Sequence, residues 1–244
     1  MKWVVALSLL LQAGFAYAQQ PVESIVGSKG RIVIVDRVEP QLTHNHLGVT
    51  IFSTSESKID NDWHLDRFAA EAATSLLRED GYDVVEVSPE SMPVADSRKL
   101  SKVELQVLIG WVRKQLQVNG AANVVFLDSA TRPYGPMVNG GYSGYGVMSQ
   151  MGDPPGRVWV YSNVGVSAWS GEPPSWVRKH GWYHDCRKRI DERALGSGSF
   201  KLWSADTLLP ERDAIKALIV DSLQQDLISL GLLPESGKKP CIAD

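Results

Sequence analysis

The amino-acid sequence predicts an α/β fold with an α+β tendency: a mixed, partly parallel sheet flanked by helices, with a C-terminal β-hairpin and a closing helix. Three features point there. Between residues 31 and 128, short β-branched runs alternate with amphipathic helical patterns. Two of those runs are almost continuously apolar, the mark of strands covered on both faces. After Asp128 the pattern shifts to alternating Val and aromatic residues around a turn, as a hairpin requires.

Arg31–Asp36 is the first apolar run and reads as a strand. After a loop at Pro40, His46–Phe52 reads as a second. The connection is too short for a parallel crossover, so these two strands are expected to pair antiparallel. Over Asp62–Asp80, Leu65, Ala69, Ala72 and Leu76 recur at spacings of three and four with Phe68 alongside, which predicts a helix. Asn61 or Asp62 can cap its start and Gly81 its end. Asp83–Val87 is the next strand. Ser101 and Glu104 match a capping box and open a helix with two apolar rows, Val103/Val107/Trp111 and Leu108/Val112/Leu116. Asn119-Gly120 ends it, and Asn123–Asp128 is another buried strand. This strand–helix–strand–helix–strand order implies right-handed crossovers.

Arg132–Gly146, rich in glycine and tyrosine, reads as a loop. Tyr145–Gln150 and Arg157–Val166 flank the turn run Asp153-Pro154-Pro155-Gly156 and read as a β-hairpin. Pro173–Ser199 reads as irregular, with a basic knot at Arg187-Lys188-Arg189. Ile215, Ile219, Leu223 and Leu227 place an amphipathic helix over Pro210–Leu230, stopped by Gly231. No repeat or long linker interrupts the pattern, so residues 19–244 are expected to form one domain.

With 43% hydrophobic and 22% charged residues, the 244-residue chain carries enough apolar side chain for a sizeable core. A formal charge of −3 argues against a nucleic-acid binder that works through a broad basic surface. Residues 1–18 read as a secretory signal: Lys2 is the basic end, Trp3–Leu11 the apolar run and Ala16-Tyr17-Ala18 the cleavage site. That run is too short to span a bilayer, and no other is apolar for long enough. In an oxidising compartment the two cysteines, Cys186 and Cys241, are expected to form a structural disulfide that pins the tail Ser236–Asp244. The expected destination is therefore the periplasm or the cell exterior.

Few motifs carry chemistry. There is no G-x-S-x-G elbow, H-E-x-x-H or P-loop, and no cofactor is expected. His44 and His46 share one face of a strand, and His64 opens the next helix; with a carboxylate such as Asp36 they could ligate zinc. The H-x-H spacing is common by chance, so the favoured reading is three solvated loop histidines. Tyr134, Tyr142, Tyr145, Trp169 and Trp176 belong to an aromatic-rich stretch and are the candidate ligand-binding residues. Rings of this kind give large contact area at low entropy cost. The alternative is that Trp159 and Tyr161 pack the sheet while the others brace an irregular segment.

Leu47–Phe52, then Asp62-Trp63-x-Leu65-Asp66 opening a helix, then Gly81-Tyr82-x-Val84-Val85, resembles a family of secreted proteins from Gram-negative bacteria that has no established activity. The likeness covers under a third of the chain. It implies an exported α/β protein and carries over no catalytic residue. The strand–helix order is also similar to the amino-terminal domain of TolB-type envelope proteins, a likeness of fold order alone. The functional expectation is an exported envelope protein that binds or assembles with a protein or glycan. Its rivals are a metal-dependent hydrolase using His44, His46 and His64, and a structural or stress-related secreted protein without a ligand.

Overall fold

The computed structural model describes residues 29–48, 54–93, 101–133, 141–150, 157–171, 174–177, 186–190, 203–235 and 241. In the first half of the chain lie β1 (Arg31–Arg37), β2 (Leu42–Leu47), β3 (Ser55–Ile59), α1 (Leu65–Glu79), β4 (Asp83–Val87) and α2 (Lys102–Asn119). Then come β5 (Asn123–Ser129), β6 (Thr131–Pro133), β7 (Gly141–Gln150), β8 (Arg157–Ser170), β9 (Ser175–Val177) and β10 (Cys186–Ile190). A one-turn α3 (Ala205–Leu208) and the long α4 (Arg212–Ser229) follow. The expected α/β class holds: one mixed sheet with helices against it.

β8 organises the sheet. Its first half lies between β7 and β10, and its second half between β5 and β9, all antiparallel. One half-sheet therefore runs β4-β1-β5-β8-β9 and the other β3-β2-β7-β8-β10. β4, β1 and β5 are parallel, which explains their continuous apolar sequences. Ile32, Ile34, Val125 and Leu127 pack toward α1 and α4, while Val33, Val35, Val124 and Phe126 pack toward α2. Each fully buried Val or Ile contributes roughly 1.5–3 kcal/mol over its exposed state.

Local signals explain the helices. Leu65, Ala69, Ala73 and Leu77 form the buried stripe of α1, one residue round from the Ala72/Leu76 row expected. Gly81, at φ 93°, closes the helix as Gly81 N–H bonds Arg78 O and Tyr82 N–H bonds Leu77 O. The capping box of α2 is present in both directions between Ser101 and Glu104. On α4, the expected Ile215, Ile219, Leu223 and Leu227 are all buried. Two polar residues of this helix fix it to β8. Ser222 Oγ lies 2.9 Å from Ser162 Oγ, and Asp226 Oδ2 accepts from Val166 N–H at 2.9 Å. Along β8, pairing with β10 stops at Ser162 and pairing with β9 starts at Ala168, so Asp226 supplies an acceptor in the gap between them.

Several expectations are corrected. The second strand is Leu42–Leu47, earlier than His46–Phe52, whose residues 49–52 lie outside the described set. It does not pair with β1. Instead β2 runs parallel to β7 and antiparallel to β3, a partnership that only the later chain makes possible. α1 begins at Leu65 rather than Asp62, behind a left-handed His64 (φ 49°). The stretch expected as a loop contains β6 and the start of β7, because Arg132 pairs with Tyr142 in a small hairpin. The segment expected as irregular contains β9 and β10. The hairpin of β7 and β8 is present, and it occupies the centre of the sheet rather than an end.

The disulfide joins Cys186 to Cys241, tying the tail to β10. Among the described residues, no helix is long and apolar enough to cross a membrane. The signal segment, residues 1–18, lies outside the described residues.

Candidate functional site

The aromatic candidates go largely into the core. Tyr145 is fully buried, Tyr142 is 3% exposed and Trp169 7% exposed. β7 and β8 are central strands; Tyr142 packs among strand residues, while Tyr145 and Trp169 also meet helices. Tyr142 meets Tyr161 edge to face at 5.0 Å, and Trp169 joins the cluster under α2. The Tyr161 hydroxyl, fully buried, accepts from Asn45 Nδ2 at 2.7 Å and donates to Ser143 O. Trp176 stands opposite Trp169 in the β8–β9 register. Tyr134 lies outside the described residues. The three located rings thus brace the sheet instead of lining a surface platform.

The histidines follow the strand alternation part of the way. His44 and His46 project from one face of β2 and converge on Ser149 of β7, the residue paired with His46. His44 Nε2 lies 3.2 Å and His46 Nδ1 2.9 Å from Ser149 Oγ. Trp203 stacks on His44 with ring centroids 4.9 Å apart. Burial, aided by the neighbouring His46, lowers the His44 pKa to about 4, so its ring is neutral at physiological pH. Neither loop exposure nor a metal cage describes this arrangement. His64 is spent on the start of α1, where its carbonyl accepts from Phe68 N–H. Among the described residues no group of three or more His, Cys, Asp or Glu is placed to hold a metal ion. Ser149 is fully buried, and its contacts with His44 and His46 join β2 to β7.

A second polar cluster sits where the two half-sheets meet. Burial raises the Asp36 carboxyl to about 6, opposed by its bond from Val38 N–H and reinforced by Asp66, Glu86 and Asp128. The Tyr145 hydroxyl donates to Glu39 O at 2.7 Å, and burial raises its pKa far above the usual value. A backbone hydrogen bond from Asp66 partly offsets that rise. Tyr145 thereby links β7 to the β1–β2 connection and to the first turn of α1. Beside it, Arg37 Nη2 holds Asp128 Oδ2 at 2.7 Å while its guanidinium lies 4.8 Å from the Phe126 ring centroid.

The surface feature that sequence reasoning missed is on α2. Val103 and Val107, expected in a core row with Trp111, are 73% and 45% exposed, and only Trp111 of that row is buried. Leu108 and Val112 of the other row are buried as expected. One face of an 18-residue helix is enough to cover β1 and β5, so the second row faces outward. The signal was present: a helix apolar on two rows exceeds the stripe that one sheet face needs. The basic knot Arg187-Lys188-Arg189 lies on β10, which among the described residues pairs only with β8, and cations on such a strand discourage pairing with foreign strands. No family model matches this sequence, and no curated protein is significantly similar to it.

Proposed function

We propose that the chain is an exported protein of the bacterial envelope, periplasmic or secreted, that acts by binding or assembly. The observation that carries this reading is the outward apolar row of α2, on a helix whose opposite face is already packed against the sheet. Valines of this kind offer no hydrogen bonds, so the face suits a protein surface better than a glycan. Export is supported by the signal-like segment ending at Ala18 and by the Cys186–Cys241 disulfide, which suits an oxidising compartment. The resemblance of Leu47–Val85 to secreted proteins of Gram-negative bacteria agrees with it.

Two measurements test the reading. Intact-mass analysis of the protein from its native host should find an amino terminus at Gln19 and one oxidised cysteine pair. A photo-crosslinking residue at position 107, introduced in the same cells, should give a discrete adduct that the same residue at Glu71, exposed on α1, does not. An uncleaved, reduced chain overturns the export half, and equal cross-linking at the two positions overturns the binding half.

A further inference from the structure

Four of the five exposed large apolar residues among those described belong to α2: Val103, Leu105, Val107 and Val118. Val103, Val107 and Val118 fall on one helical row, with Gly110 and Lys114 between them. At 1.5 Å per residue that row is about 22 Å long. Val118 is 72% exposed, so the row stays open to its far end. A Cβ at Gly110 would meet nothing within 4 Å, which leaves the middle of the row low enough for another backbone to come close.

We propose that this row seats a second copy of the chain, two α2 helices packing antiparallel across Gly110. The proposal rests on the binding reading above and names its partner. The argument is the symmetry and charge of the face. Reversing one helix about the Gly110–Trp111 bond sets Val103 against the partner's Val118 and Val107 against the partner's Lys114. The methylene stem of Lys114 covers that valine, and its ammonium reaches the partner's Glu104 one turn further on. A two-fold axis makes each such contact twice, so acid meets base at both ends. Antiparallel helices also oppose their dipoles. A single pair of helices buries little area, so the dimer dissociates on dilution.

Sedimentation equilibrium of the oxidised, mature chain over about 1–200 µM is the test, a range that brackets micromolar association. The average mass should rise from monomer toward dimer. Val107→Glu and Val118→Glu should each hold the protein monomeric throughout while leaving thermal melting unchanged, since both side chains are exposed. Gly110→Cys, at the axis, should form a disulfide-linked dimer on oxidation, and Val103→Cys alone should not. A monomer at every concentration overturns the proposal, as does a dimer that both glutamate variants leave intact. If the chain is monomeric but position 107 still cross-links to a different protein, self-pairing falls and the binding reading stands. If it is monomeric and position 107 cross-links no more than Glu71, both fall.

Discussion

Gly146 sits where β7 lies against Thr43 of β2, with φ at 155°, and a Cβ built there would run into the Thr43 carbonyl. Gly146→Ala is therefore expected to cost at least ~3 kcal/mol, read as a lower urea midpoint with an unchanged slope. A loss below ~1 kcal/mol would mean that β2 can shift aside. His64 carries the opposite kind of strain, a non-glycine residue at φ 49° with no side-chain cap bond. His64→Gly should gain about 0.5 kcal/mol, because relief of the left-handed conformation outweighs the extra freedom of the unfolded chain. A destabilised variant would show that the imidazole makes a contact worth more than the strain. Neither position was legible beforehand. Gly146 is one glycine in a run of similar glycines, and what singles it out is a parallel register to a strand far away in the chain. Ser149 escaped notice for the same reason: nothing near it in sequence announces two histidines.

Elements with self-contained signals were legible; elements defined by their partners were not. The capping box, the β-branched runs of β1, β4 and β5, and the four-residue apolar spacing of α4 are all local, and all were placed within a few residues. β2 reads Leu-Thr-His-Asn-His-Leu, a polar strand that exists because β7 and β3 flank it. β6, β9 and β10 likewise owe their extended form to β7 and β8. α4 shows how one side chain can complete such a ladder. Asp226→Ala removes the acceptor of Val166 N–H and leaves that buried donor without its carboxylate. The expected loss is about 2 kcal/mol, with hydrogen exchange at Val166 accelerated more than at its neighbours. Unchanged exchange there would assign the stabilising role of Asp226 to other contacts.

For the molecule as a whole, two buried groups pull stability in opposite directions with pH. Asp36 has its pKa raised from 3.8 to about 6, so the folded state binds the extra proton and stability falls as pH rises through that window. His44 has its pKa lowered from 6.5 to about 4, so the unfolded state binds the extra proton and stability rises over nearly the same window. The wild-type contributions largely cancel between pH 4 and 6.5. Asp36→Asn should uncover a rise with pH and His44→Gln a fall, each on the order of 2 kcal/mol across the window by urea unfolding. Parallel curves for wild type and both variants would refute the opposition. Function was the least legible level. Aromatic content pointed to a binding surface, but Tyr142, Tyr145 and Trp169 are buried because the strands that bear them are central. The outward face is instead a row of valines that composition alone counts as core.

β8 belongs to both half-sheets, so neither ladder can dissolve while the other survives. Denaturant should then meet a single cooperative transition, with the summed fluorescence of the tryptophans, Trp159 and Trp169 of the two halves among them, reporting the same midpoint as circular dichroism.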